Sequence, residues 1–177
     1  DNTNSGCAGS IAADINVEAT PIPSFTSDIT TDCSPATINF INTSAGGVEF
    51  LWDFGNGQTF SGQNPPSQVY NSSGSYTVSL SMITANGCSG VTTLNNYIFI
   101  EDIVPYIIAD ETGGCNPLDV QFSDSSSSPN PANPITQWEW DFGNGQTFSG
   151  ANPPLQTYTN GLYDVSLEIS TVSGCTG

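Results

Sequence analysis

Hydrophobic and polar residues alternate strictly in two stretches of the chain. Tyr76, Val78, Leu80 and Met82 alternate with Thr77, Ser79 and Ser81, and Tyr163, Val165, Leu167 and Ile169 alternate with Asp164, Ser166 and Glu168. A period of two puts one set on a buried face and the other toward water, which marks a half-buried antiparallel strand. Phe50, Trp52 and Phe54 share one side of an earlier strand, with Trp138, Trp140 and Phe142 as counterparts. Thr37 to Ile41 and Leu118 to Phe122 predict the strand before it, and Val91 to Ile100 the last strand of a unit. No stretch carries the 3.6-residue period of a helix, and no apolar run approaches the length of a membrane span. Between the strands Gly, Pro, Ser, Thr and Asn predict turns. Phe54-Gly55-Asn56-Gly57 predicts an Asn-Gly tight turn, with Asp53 and Asp141 accepting hydrogen bonds from turn amides. Seven short strands per unit, with a core Trp and a Tyr after a Gly turn, describe an all-β, immunoglobulin-like β-sandwich. Its expected core is centred on Trp52, Trp140, Tyr76 and Tyr163.

The units repeat. Trp52 to Gly62 recurs unchanged from Trp140 to Gly150, and Asn-Pro-Pro follows in both copies, at Asn64 to Pro66 and Asn152 to Pro154. Each copy then carries a Tyr (Tyr70, Tyr158), a Gly (Gly74, Gly161), the alternating strand and a closing Gly-Cys (Gly87-Cys88, Gly174-Cys175). Ser5 to Gly9 matches Ser173 to Gly177 in all but one residue. Residues 1–22 therefore read as the tail of a preceding repeat, with its last strand near Ile11 to Ala19. Residues 23–102 read as a first domain, and residues 103–177 as a second that lacks its own last strand. The window is out of phase with its domains, as if cut from a longer array. The same ends admit another reading, in which the N-terminal strand of one subunit completes the open sheet of a neighbour in a donor-strand polymer.

The order Cys-x-Pro, Trp-Asp-Phe-Gly-Asn-Gly, Asn-Pro, Tyr-x(3)-Gly-x-Tyr-x-Val-x-Leu and Asn-Gly-Cys resembles the PKD (polycystic kidney disease) domain over almost the whole chain. Asn56 and Asn144 stand where that family usually has Asp, a conservative departure within a turn. The resemblance implies an extracellular spacer or adhesion module, sometimes one that assists a polysaccharide- or protein-degrading enzyme. Tandem copies with paired cysteines are similar to repeats of very large bacterial surface proteins exported by the type IX secretion route, some of which serve gliding motility or biofilm adhesion.

Five cysteines fall in two classes. Cys33 and Cys115 precede the second strand of a repeat, and Cys7, Cys88 and Cys175 lie in its last turn. Pairing within repeats would join Cys33 to Cys88 and Cys115 to Cys175. Strand direction in a sandwich argues for another partner, because these positions lie a strand length apart, roughly 20 Å for six residues, and a disulfide needs Cα atoms within about 7 Å. In a head-to-tail array the entrance to strand two of one repeat faces the last turn of the next, which would pair Cys33 with Cys175. Both pairings remain open from the sequence. The insertion from Ser125 to Pro134, rich in Ser and Pro, joins strands two and three of the second repeat and should lie at this joint, either as a solvated loop or as a wedge that fixes the angle between repeats.

Charge removes whole classes of function. The chain has no Lys, Arg or His against seventeen Asp and Glu, a formal net charge of −17. Nucleic-acid binding needs cations to neutralise phosphate, and attraction to anionic lipid needs them too. A Ser-His-Asp relay and a His-ligated zinc both need histidine. A glycosidase needs two carboxylates facing one another in a cleft, whereas the acids here are scattered over turns and outward positions. The reading is non-enzymatic and without an organic cofactor. Intrachain salt bridges between side chains are also impossible, and trypsin-like proteases have no site to cut, which suits a life outside the cell. An anionic surface does attract divalent cations. Asp28 and Asp32 before strand two, with Glu101, Asp102, Asp110 and Glu111 around the linker, are the candidate calcium ligands. The expected partners are neighbouring repeats and a surface, glycan or protein ligand. For an accessory binding module, Tyr97, Phe99 and Tyr106 are the more open aromatics. Asn42 and Asn71 head glycosylation sequons that matter only where the source glycosylates asparagine.

Overall fold

The computed structural model describes residues 11, 14–15 and 17–177. Among these residues there is no helix; every regular element is a strand. The first repeat contains β1 (Phe25–Ser27), β2 (Thr31–Cys33), β3 (Ala36–Ile38), β4 (Phe40–Asn42), β5 (Gly47–Asp53), β6 (Thr59–Ser61), β7 (Gln68–Tyr70), β8 (Gly74–Thr84) and β9 (Ser89–Glu101). The second contains β10 (Ile107–Ala109), β11 (Leu118–Val120), β12 (Phe122–Asp124), β13 (Ile135–Asp141), β14 (Thr147–Ser149), β15 (Gln156–Tyr158) and β16 (Ser166–Thr171).

In the first repeat β2-β9-β8-β5-β6 form a five-stranded sheet, and the pairs β1-β4 and β3-β7 complete the sandwich. Only β2 and β9 run parallel, with Cys33 opposite Glu101. The second repeat reproduces part of this as β14-β13-β16, β10-β12 and β11-β15, without counterparts of β2 and β9. The alternating residues of β8 supply Val78, Leu80 and Met82 to a core that closes over Trp52, Phe54, Ile38 and Phe40. Trp52 stacks on Phe54 at 5.7 Å between ring centroids, and Trp140 on Phe142 at 6.0 Å. Each indole N–H is satisfied inside the core by a glycine carbonyl, Gly62 for Trp52 at 3.1 Å and Gly150 for Trp140 at 3.0 Å. Buried Tyr70 and Tyr158 donate to the carbonyls of Phe54 and Phe142. These matched bonds show the duplication in three dimensions.

Several local expectations change. The strand expected over Thr37 to Ile41 is broken at Asn39 into β3 and β4, which pair with different partners, and Leu118 to Phe122 divides in the same way at Gln121. The turn after β5 is a five-residue loop, Phe54 to Gln58, rather than a two-residue Asn-Gly hairpin. Gly55 and Gly57 both take positive φ, +74° and +86°, and a Cβ on Gly55 would lie 2.4 Å from the Thr77 carbonyl oxygen. Asp53 and Asp141 accept the amides of Gly55 and Gly143. Tyr76 and Tyr163 are half-buried at the core margin, packed on Tyr70 and Tyr158, and not at its centre. Trp138 is also half-buried, because its indole N–H reaches outward to Asp124 at 2.6 Å. The described residues between Ile11 and Ala19 form no strand. Cys7 lies outside the described residues.

Asp124 gives a pH handle. Burial pushes its carboxyl up, but hydrogen bonds from Ser126 and Trp138 together outweigh that and hold it below the ordinary value of 3.8. A depressed folded value means stability that is present above the unfolded value and lost as pH falls through the folded one. The difference in melting temperature between the parent chain and Asp124→Asn should therefore be largest near neutral pH and shrink below about pH 4. Thermal scans across that range read it directly.

Candidate functional site: the joint between repeats

The last strand of the first repeat, β9, ends at Glu101, and the chain passes directly into the second core through buried Ile103. Parallel pairing with β9 carries Cys33 to the same place. From the other side comes the last turn of the second repeat. Thr171 closes it, taking Cys175 N–H on its hydroxyl at 3.1 Å and donating its own N–H to the Cys175 carbonyl at 2.9 Å. Gly174, at φ +90°, allows the tight reversal. Cys33 and Cys175 are bonded here, with Cα atoms 5.3 Å apart and a sequence separation of 142. Of the two pairings the sequence leaves open, the joint takes the one between repeats. Closing a loop of that length removes about 5 kcal/mol of chain entropy from the unfolded state in the simple model.

Beside the disulfide lies a carboxylate with no cation. Glu101 is 1% exposed. Its Oε1 accepts from Asn130 Nδ2 at 2.6 Å, and its Oε2 from Asn133 Nδ2 at 2.5 Å. Asn133 is itself buried and reaches on to the last turn, donating to Ser173 Oγ at 2.7 Å and accepting Ser173 N–H at 2.9 Å. A buried carboxylate is costly unless hydrogen-bonded, and here amide dipoles replace the cation that the composition withholds. The two asparagines come from the Ser125 to Pro134 insertion, which is held in shape by the Ser128 hydroxyl donating to the Asn133 carbonyl at 2.7 Å. The insertion thus sits at the joint and connects the end of β9 to the turn carrying Cys175.

The six acidic candidates are distributed over three kinds of place. Asp28 and Asp110 lock the strand breaks. Asp28 accepts the Asn39 amide at 2.9 Å and the Asn39 side chain at 2.6 Å, and Asp110 accepts the Gln121 amide at 2.8 Å. The side-chain bond from Asn39 is the main reason that the Asp28 carboxyl sits below its usual range. Asp32 caps the Cys33 amide at 2.8 Å and shares with Glu101 a shallow depression at the joint. Asp102 and Glu111 are exposed. Among the described residues no three acidic or thiol side chains converge as a metal-binding group. Of the aromatics, Tyr97 packs against the first core and Phe99 is half-buried, which leaves Tyr106 open at 61% exposure. Asn130, Asn133 and Ser173 were not singled out by sequence reasoning; the Asn-x-x-Asn spacing in the inserted loop was the only signal available.

A family profile described as "PKD domain" matches residues 18–99 and again residues 104–177. Two solved structures are similar at low identity. One, described as "Structural basis for the promiscuous specificity of the carbohydrate-binding modules from the beta-sandwich super family", is 12% identical, with 87% of this chain and 85% of that one covered at a TM-score of 0.42. The other comes from "Structures of Clostridium thermocellum CbhA fibronectin(III)-like modules" and is 11% identical, with 86% and 88% covered at a TM-score of 0.39.

Proposed function

The chain belongs to the PKD domain family, as two tandem copies, and from that premise we propose that it is a tension-bearing extracellular spacer in the stalk of a surface adhesin. The observation that carries this reading is the stapled joint. A disulfide, a buried Glu101 and two asparagines tie the end of one domain to the last turn of the next. A catalytic protein needs a cleft that gathers reactive groups, whereas this chain places its most constrained chemistry where two domains meet. Such a connection limits bending and keeps the spacing between domains fixed under load. A disulfide also fits an oxidising compartment, and a surface without Lys or Arg gives trypsin-like proteases nothing to cleave. Export by the type IX route, with a role in gliding or biofilm attachment, is the finer form of this reading.

An antiserum raised against the 177-residue chain should label intact, unpermeabilised cells of the source, and in-frame removal of the segment should weaken their attachment to surfaces. Labelling that required permeabilisation would reject the extracellular assignment. Normal attachment without the segment would reject the adhesive one.

A further inference from the structure

The two sulfur atoms of the joint sit in unlike surroundings. Cys33 is half-buried, whereas Cys175 is 2% exposed and belongs to the second core. Thiol–disulfide exchange runs in line: an incoming thiolate bonds one sulfur while the other leaves on the far side. Access therefore makes Cys33 Sγ the point of attack and Cys175 Sγ the leaving atom.

The leaving sulfur meets an anion. Glu101 Oε2 lies 4.0 Å from Cys175 Sγ, and both carboxylate oxygens accept N–H donors, the pattern of an ionised group. Two neutral groups also face that sulfur. Asn133 Nδ2 is 3.9 Å away, but it already donates to Glu101 and to Ser173 Oγ. Ser173 Oγ itself stands at 3.5 Å. The depression over the joint is lined by Asp32 as well as Glu101, and the chain has no Lys, Arg or His to offset them. A thiolate released beside a carboxylate is disfavoured, and a poorer leaving thiolate slows exchange. A reductant that is itself anionic is repelled on its way in.

We propose that Glu101 is an electrostatic guard of the joint disulfide, which keeps thiol reductants, anionic ones above all, from opening the staple. The reaction it opposes needs only the thiol. The reductant's thiolate bonds Cys33 Sγ, the Cys33–Cys175 bond breaks, and its electron pair leaves on Cys175 Sγ, which takes a proton from water. A second thiolate then attacks the mixed disulfide, releases Cys33 as a thiolate and leaves the reductant oxidised. Glu101 raises the first barrier by holding negative charge where the electron pair arrives. This deepens the spacer reading and rests on it, because a bond that carries load must outlast the thiols it meets.

The test follows loss of the Cys33–Cys175 peptide pair from the intact oxidised chain, by alkylation and peptide mapping at timed intervals. The reductants are cysteamine, which carries an ammonium, and mercaptoacetate, which carries a carboxylate. At equal thiolate concentration and low salt cysteamine should open the bond about tenfold faster. Glu101→Gln should speed opening by both reagents about tenfold. That gain should persist at about 1 M salt, where the screening length falls to about 3 Å. Glu101→Gln with Asn130→Asp is the control. It exchanges donor and acceptor within one hydrogen bond, keeps the net charge, and moves the carboxylate to position 130, which meets Oε1 rather than the Oε2 beside the sulfur. Its rate should exceed the parent's. Glu101→Gln opening at the parent rate overturns the proposal. So does an exchanged pair as slow as the parent, which would make Glu101 a structural support alone, or a first adduct on Cys175 instead of Cys33. Absence of the Cys33–Cys175 pair before any reductant is added would instead remove the joint, and with it the spacer reading.

Discussion

Pulled by its two ends, the oxidised chain should release almost no hidden length, and the same chain under reductant should release roughly 500 Å more. The bond joins residues 142 apart, and an extended residue spans at most about 3.6 Å. Strands β3 to β16 lie inside that covalent loop, so tension applied at the ends bypasses both cores through the sulfur atoms. Only the segments outside Cys33 and Cys175 can extend before reduction. A force-extension record with domain-sized unfolding steps in the oxidised chain would mean that load travels through the sheets, contrary to the stapled joint.

Asn133→Ala should cost about 3 kcal/mol, because it removes one of two donors from a buried carboxylate and leaves that oxygen unpaired. It also removes the bonds to Ser173. The informative control is the pair Glu101→Met with Asn133→Leu. Replacing both partners by apolar groups of similar shape removes the orphaned charge, so the double variant should be more stable than Asn133→Ala alone. Equilibrium urea unfolding of the parent and these two variants makes the comparison. If Asn133→Ala proves neutral, the amides are not what holds Glu101 in the joint.

How much of this was legible depends on whether the signal was local. The alternation of β8 and β16, the duplicated Trp segment and the Asp53 and Asp141 turn bonds rest on neighbours in sequence, and they could be read directly. The breaks at Asn39 and Gln121 left no trace, because a strand that switches sheets keeps its inward period: Ile38 and Phe40 are both buried on either side of Asn39. Only the partner of Asp28 reveals the switch. Glu101 reads as a surface acid at the end of a strand, and its burial arises from a domain that packs after it. Asn130 and Asn133 read as loop residues for the same reason. Cysteine pairing occupied the middle ground, since strand direction favoured Cys33 with Cys175 while sequence spacing favoured pairing within repeats.

The central claim is a covalent bond between domains, and one digest addresses it. The unreduced chain, alkylated and cut with pepsin or a glutamyl endopeptidase since trypsin has no site, should yield a peptide pair joined through Cys33 and Cys175. Recovery instead of Cys33 joined to Cys88, or Cys115 joined to Cys175, would place each bond within its own repeat and contradict the account.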